Sequence, residues 1–197
     1  MTHPCAWPPA PIGTAPVART PCGRWAGFTV VELLLAVTLA GVVAAFAVPS
    51  WRALLVAAEL RERAEALAAA LATARSEAIK RSARVDVCAG VDPADCLTSP
   101  AWEAGWLAVV NAGIADAPSP GASILARERA ARAGITIRGN GPVAQYVSYT
   151  SLGHARRHDG ALQMGTFTIC RSGAAALKVV LANSGRTRID ATQELCP

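Results

Sequence analysis

The stretch that decides the fold is Gly27-Phe28-Thr29-Val30-Val31-Glu32, which opens the apolar run from Leu33 to Val48. A carboxylate such as that of Glu32 costs about 2.5–3.5 kcal/mol inside a bilayer, even on lenient insertion scales. The competing interpretation is an ordinary membrane anchor with a stray acid near its end. Because ionisable residues within membrane segments are functional by default, the stretch predicts a membrane helix in which Glu32 has a task.

The run GFTVVELLLAVTLAGVVAAFAVPSW resembles the class III signal of type IV pilins and type II secretion pseudopilins. The resemblance implies that prepilin peptidase cuts between Gly27 and Phe28 and that the new amino terminus is methylated. It also implies that Glu32 pairs with the terminal amine of a neighbouring pilin subunit during assembly. Such a pairing is physically reasonable, because a buried carboxylate becomes tolerable when an ammonium group accompanies it.

Charge at the amino-terminal end predicts the orientation in the membrane. Arg19 and Arg24 precede Phe28, and no acid accompanies them. By the positive-inside rule they mark the cytoplasmic flank of the span. We therefore expect residues 1–27 to be a leader peptide and the C-terminal domain to be periplasmic while the chain is held in the inner membrane. The formal net charge is +5, and without the leader the chain is only mildly basic, so charge alone does not predict a nucleic-acid partner.

Six cysteines are present, and Cys5 and Cys22 lie in the predicted leader. The four others are Cys88, Cys96, Cys170 and Cys196. An even number outside the cytoplasm favours disulfides, and of the possible pairings we favour the two that are local in sequence, Cys88–Cys96 and Cys170–Cys196. In the pilin family a cysteine near the C-terminus staples the last hairpin, which supports the second pairing. A zinc site is the alternative, but the sequence lacks a Cys-x-x-Cys pair.

One long helix is predicted from Phe28 to about Arg84. Residues 28–50 are apolar all round, as a transmembrane and assembly segment requires, whereas residues 51–84 are amphipathic. The second part repeats an apolar residue every three or four positions, at Leu60, Ala64, Leu67, Leu71, Ala74 and Ala78. The ion pairs expected one turn apart on its polar side are Glu59–Arg63 and Glu77–Arg81. The stripe predicts packing on a globular domain; a soluble coiled coil is the alternative, although the pattern is short.

Residues 85–197 are predicted to form a globular β domain, because the apolar period becomes strand-like and turn residues separate the segments. The candidate strands are Val85–Cys88, Gly105–Val110, Ile135–Arg138, Ala144–Thr150, Thr166–Cys170, Leu177–Leu181 and Arg186–Ile189. The fold class is therefore α+β, with a long N-terminal helix whose C-terminal half is covered by a mainly antiparallel sheet.

Three segments narrow the family resemblance: Ala78 to Cys88, Trp102 to Trp106, and Thr166 to Cys170. They resemble the FimT/GspH group of minor pilins and pseudopilins, which implies the type IV pilin-like fold. Trp102 and Trp106 are interpreted as core residues, since aromatic side chains in strands are usually buried.

Nothing in the sequence favours catalysis. It contains no phosphate-binding loop, and its histidines do not assemble into a nucleophile, base and orienting group. His154 and His158 lie in a polar, glycine-bounded stretch that predicts an exposed loop. We therefore expect no enzyme activity, cofactor, metal site or small-molecule substrate.

The segment Gly185-Arg186-Thr187-Arg188 follows a predicted turn and starts the last strand. Residues two apart on a strand share a face, so Arg186 and Arg188 are expected to project together, with α-carbons about 6.6 Å apart. FimT-like pilins of naturally transformable bacteria carry a Gly-Arg-x-Arg motif that binds DNA, and the resemblance implies that role here. Arg171 and Lys178 are expected to extend the basic patch. The competing interpretation is a solvated hairpin whose arginines keep a sheet edge soluble.

The resemblance and the motif together predict a minor type IV pilin that binds extracellular double-stranded DNA for uptake in natural transformation. Its expected location is the inner membrane before assembly and the pilus at the cell surface afterwards. The alternative is a GspH-like minor pseudopilin with a structural role in a type II secretion system.

Overall fold

The computed structural model describes residues 27–90, 101–111 and 123–197, except for the side chains of residues 46 and 48–50. The predicted leader up to residue 26, with its two arginines and two cysteines, and Cys96 lie outside the described residues. The chain divides into two compact units, with the boundary between Ala44 and Ala45.

The predicted long helix is present as α1 (Val30–Arg81). It begins where Thr29 caps it: the Glu32 backbone N–H donates to the Thr29 hydroxyl oxygen at 3.2 Å. A threonine cap followed three residues later by glutamate is a common helix-start signal, and the acid also suits the positive end of the helix dipole. In the first unit, apolar side chains such as Leu33 and Leu39 are exposed. Within the part of the chain that the structure describes, no helix has an apolar stretch long enough to cross a membrane.

The amphipathic stripe of α1 in the second unit matches the prediction at each position. Its six apolar members are at most 1% exposed: Leu60, Ala64, Leu67, Leu71, Ala74 and Ala78. They belong to one core cluster with inward-facing residues of the strands that follow. Trp102 and Trp106 are buried in the same cluster, as predicted. The Trp102 ring meets Phe167 edge to face at 4.9 Å, and its indole N–H donates to the Ala144 carbonyl at 2.8 Å.

The helix ends in a pair of backbone hydrogen bonds that turn the chain sharply. The Ala83 N–H donates to the Ala78 carbonyl, and the Ser82 N–H donates to the Ile79 carbonyl, both at 3.2 Å. This is the Schellman arrangement, in which the residue after the last helical position is left-handed. Ser82 occupies that position with φ of 50°. Glycine is the usual residue there because it has no Cβ to strain.

Eight strands occur in the described residues, one more than the sequence predicts. They are β1 (Arg84–Ala89), β2 (Trp106–Asn111), β3 (Ile124–Glu128), β4 (Ile135–Gly139), β5 (Tyr146–Tyr149), β6 (Gly165–Arg171), β7 (Ala175–Leu181) and β8 (Thr187–Leu195). They form two antiparallel sheets, with the orders β3-β2-β1-β5 and β4-β6-β7-β8. The antiparallel prediction is confirmed, whereas β3 was missed.

The side chains of α1 form ion pairs within the helix and with other segments of the chain. Glu77 and Arg81 pair at 2.6 Å as predicted, and the hydrogen bond from Arg81 lowers the pKa of Glu77. The prediction of a Glu59–Arg63 pair was wrong. Glu59 instead accepts from Arg132 at 2.7 Å, and Arg63 pairs with a carboxylate outside the helix. These partners are remote in the sequence, so helical spacing alone did not reveal them.

We expect Ser82→Gly to raise the free energy of unfolding by about 1 kcal/mol, because glycine adopts the left-handed conformation without the strain of a Cβ. Denaturant titration of the full chain in detergent measures the change. Ser76→Gly, inside the helix, is the control and should lower stability by a similar amount. A loss of stability with Ser82→Gly would contradict the strain at this helix end.

Candidate nucleic-acid interface

A short hairpin joins β7 to β8 and carries the predicted DNA-binding motif. The Ala182 N–H donates to the Arg186 carbonyl and the Gly185 N–H donates to the Ala182 carbonyl, each at 2.9 Å. Gly185 has φ of +79°. Three-residue hairpin loops commonly end in such a left-handed residue. The turn therefore places Arg186 immediately before the first residue of β8.

Gly185 is also buried against neighbouring chain segments. A Cβ built on it would collide with the backbone carbonyl of Gly153 and touch the ring of Tyr149. The same carbonyl accepts a hydrogen bond from Arg75 Nε of α1 at 2.9 Å. The glycine of the motif thus lets the hairpin dock, through the Gly153 loop, against the helix.

Tyr149 lies beside this contact with its hydroxyl fully buried. Burial raises the pKa of Tyr149, although nearby Arg75 opposes the shift. The hydroxyl has no hydrogen-bond partner among the residues that the structure describes. The hairpin is therefore seated by close packing around the ring more than by polar contacts of the phenol.

The two arginines of the motif are exposed, as predicted, but their surroundings differ. The Arg188 side chain is 65% exposed and donates through Nε to both carboxylate oxygens of Asp190, at 3.0 and 3.2 Å. Arg186 is exposed and has no ionic partner within the described ranges. It is therefore the more available of the two for an anion in solution.

Lys178 lies on the same face of the sheet as Arg188. In the register of β7 and β8, Lys178 stands opposite Asp190 and Val180 stands opposite Arg188. Residues opposite one another or two apart on a strand share a face, so these side chains project together, away from the core. Lys178 also pairs with Glu194 at 2.7 Å.

Arg171 does not join this face, which corrects the expectation from sequence. It is two residues from the buried Ile169 and so projects towards the core side of β6. There it pairs with Glu59 of α1 at 2.6 Å. Its role in the structure is to tie the sheet to the helix.

The sequence reasoning missed Arg138 of β4. Arg138 stands opposite Thr168 of β6, which in turn stands opposite Lys178 of β7. A straight row across the sheet thus places two cations on the same face as Arg188. The alternation of Ile135 and Ile137 with polar residues indicated that Arg138 faces outwards, but its neighbours depend on the strand order.

The other predicted residues fall into separate places. Cys170 and Cys196 form a disulfide with Cα atoms 5.5 Å apart, so the favoured pairing is present. Cys88 is also disulfide-bonded, and Cys96 lies outside the described residues. Gly27, Phe28 and Glu32 are exposed at the start of α1, remote in sequence from the basic hairpin.

The prediction of an exposed histidine loop was wrong for His158. Its side chain is only 4% exposed, and its Nε2 lies 2.9 Å from a carboxylate oxygen of the buried Asp86. The ring also stacks on Tyr146 with centroids 4.6 Å apart. The charged partner comes from β1, which the local sequence around the histidine does not reveal. Among the described residues no group of three potential ligands is placed to hold a metal.

Comparison with known proteins decides the family. The sequence model described as "Type II transport protein GspH" matches residues 63–185, more than half of the chain. This chain belongs to the GspH family. It is therefore a minor pilin or pseudopilin of the FimT/GspH group, which confirms the resemblance. A comparison with curated proteins found no match.

Two solved structures are similar to this GspH-family chain. The type IV minor pilin FimU of Pseudomonas aeruginosa matches with a TM-score of 0.52 and 24% identity, over 69% of this chain and 94% of that chain. The minor pseudopilin EpsH of the Vibrio cholerae type 2 secretion system matches with a TM-score of 0.47 and 16% identity, over 69% of this chain and 99% of that chain. The FimU likeness confirms the α+β pilin-like fold.

The family match excludes the motif arginines and the predicted assembly residues. The matched region ends at residue 185, immediately before Arg186 and Arg188. It also begins after Phe28 and Glu32. The match therefore covers the second half of α1 and the strands from β1 to β7, and leaves β8 with the motif arginines to be tested separately.

We expect Gly185→Ala to destabilise the GspH-family chain more than Gly173→Ala. Gly173 has a similar φ of +77°, but its added Cβ would meet nothing within 4 Å. The control therefore loses only about 1–2 kcal/mol of stability, from backbone strain. Gly185→Ala should lose about 1–3 kcal/mol more, because its Cβ overpacks the site. Denaturant unfolding of the two variants gives the difference; equal losses would contradict the close docking of the hairpin.

Proposed function

We propose that this protein is a minor type IV pilin that binds extracellular double-stranded DNA for uptake in natural transformation. The observation that carries the proposal is the exposed hairpin with Arg186 and Arg188 at the start of β8. Arg186 has no carboxylate partner among the described residues. A guanidinium group that is free in this way can fork onto a phosphate.

The number of basic side chains sets what kind of binding to expect. Few phosphate contacts give weak binding with a shallow salt dependence, since the slope of log affinity against log salt is about −0.9 for each contact. Contacts to phosphates carry little sequence information, so the protein should bind different duplexes similarly. Because one subunit binds DNA weakly, it would contribute to uptake by being held at a pilus tip or by binding together with other copies.

The amino-terminal residues support the assembly half of the proposal. Gly27 and Phe28 precede the helix and are exposed, as a peptidase substrate must be. Glu32 is exposed in the first turn, where a neighbouring subunit's terminal amine can reach its carboxylate. We propose that prepilin peptidase processes this site and that residues 28–50 hold the chain in the inner membrane before it enters the pilus.

The second candidate is a structural minor pseudopilin of a type II secretion system. The family match to the type II transport protein GspH favours it. The family consists of structural pilin and pseudopilin proteins. Both candidates share the helix and the sheets, so DNA binding by the hairpin is what distinguishes them.

We expect the double variant Arg186→Ala/Arg188→Ala to bind duplex DNA about tenfold more weakly than the wild type at low salt. The plot of log affinity against log salt should flatten by about 0.9 for each lost phosphate contact. Fluorescence anisotropy of the full chain in nonionic detergent, with a labelled duplex, measures both effects.

The matched control is Arg61→Ala/Arg157→Ala, which removes two exposed arginines that are 74% and 44% accessible and are also paired with carboxylates. It lowers the net charge equally and should change binding little. Equal losses in the two double variants, or no binding by the wild type at about 50 mM salt, would reject the DNA function and leave the secretion candidate.

We expect assembled protein to begin at methylated Phe28 and Glu32→Gln to be excluded from filaments, because the amide cannot form an ion pair with the terminal amine. Mass spectrometry of sheared filaments and immunoblotting measure the two outcomes. Glu62→Gln, an exposed position of the same helix, is the control. Filaments containing an intact Met1 terminus, or normal incorporation of Glu32→Gln, would overturn this assignment.

A further inference from the structure

A groove runs along the outer face of β6, and we call it the β6 groove. Its floor consists of the small outward side chains Thr166, Thr168 and Cys170. Three depressions adjoin along it, with volumes of about 450, 430 and 570 Å³. The first two share Arg138 and Thr168, and the last two share Asn140 and Thr166, so they are continuous.

Cations stand on both sides of the β6 groove. Arg138 of β4 forms one side, and Lys178 of β7 and Arg188 of β8 form the other. Arg138 and Lys178 flank the same residue, Thr168, across two strand spacings of about 4.8 Å each. The groove is thus lined by positive side chains at its edges and by hydroxyl groups on its floor.

Each of these three cations already has a carboxylate partner. Arg138 pairs with Glu103 at 2.6 Å, Lys178 with Glu194 at 2.7 Å, and Arg188 with Asp190 at 3.0 Å. The partners lie beside the groove rather than on its floor. An anion that binds in the groove must therefore displace these carboxylates from the cations. Arg186 has no carboxylate partner to displace among the described residues.

We propose that the β6 groove binds one sugar-phosphate strand of the DNA, which enters beside Arg188 and passes between Lys178 and Arg138. Phosphates replace Asp190, Glu194 and Glu103 as the partners of the cations, and the threonine hydroxyls donate hydrogen bonds to phosphate oxygens. This inference rests on the DNA-binding function proposed above. Arg186 makes the first contact, and the carboxylates set the affinity by competing with phosphate.

The dimensions of the groove fit such a strand. Thr166 to Cys170 spans about 13 Å at the rise of an extended strand. Successive phosphates along one strand lie farther apart than the axial rise of about 3.4 Å per nucleotide, so this length matches fewer than four phosphates. Arg188 lies level with Thr166, and Arg138 and Lys178 lie level with Thr168. A linear polyanion with regularly spaced charges can meet both sets of cations, whereas a single small anion cannot.

The first test removes a cation that lies outside the Gly-Arg-x-Arg motif. Arg138→Ala should weaken duplex binding by the full chain in detergent about three- to tenfold at low salt, and should flatten the salt dependence by about 0.9. Arg61→Ala, an exposed arginine with a carboxylate partner on α1, is the matched control and should do neither. Circular dichroism of each variant reports on folding.

A second variant keeps the test independent of Arg138. Thr168→Glu puts a carboxylate on the groove floor between two cations, where ion pairs support the fold. It should reduce DNA binding by about tenfold or more, because the added charge both repels phosphates and occupies the cations.

The third variant tests the competition itself. Asp190→Asn should strengthen duplex binding, because Arg188 no longer exchanges partners, whereas Glu65→Gln removes the same charge from the Arg61 pair and should have little effect. If Arg138→Ala matches Arg61→Ala, or Asp190→Asn matches Glu65→Gln, the groove proposal is overturned. The DNA function still stands if the Arg186→Ala/Arg188→Ala loss persists. No binding by the wild type would overturn both.

Discussion

Burial of one narrow stripe of α1 is the constraint on which the rest of the second unit depends. Its leucines, Leu60, Leu67 and Leu71, are almost fully enclosed, and each contributes about 1.5–3 kcal/mol relative to an exposed side chain. The alanines between and after them are equally buried, and their small size lets the strands approach the helix closely. Both sheets contribute to the same core, so the outward faces of their strands are fixed once the stripe is covered.

The periodicity of apolar residues in the sequence predicted those features that depend only on residues close together in the chain. The stripe could be read from residues three and four apart, and the outward position of Arg188 from alternation along a strand. The edge strand β3 was missed because Leu125, Ala126 and Arg127 favour helix as individual residues, and only pairing with β2 makes the segment a strand. The partners of Glu59 and His158 and the surroundings of Arg138 could not be predicted for a similar reason, since their neighbours come from elements far away in the chain.

The fold and the candidate interface have different origins in the sequence. The family match covers residues 63–185, and the motif arginines follow it. Within the motif, Gly185 serves the fold, because only a residue without Cβ fits against the Gly153 carbonyl. The arginines serve no packing role and keep their side chains in solvent. Substitution of the two arginines is therefore expected to change the surface chemistry at the start of β8 without altering the core of this chain.

The disulfide between Cys170 and Cys196 has a mechanical consequence. Among the strands that the structure describes, β8 lies at the edge of its sheet and pairs with β7 alone, so tension applied to the arginines would peel it away one hydrogen bond at a time. The covalent link connects the far end of β8 directly to β6, an interior strand. A load pulling on the hairpin is thereby passed to the middle of the sheet, and unzipping stops at Cys196.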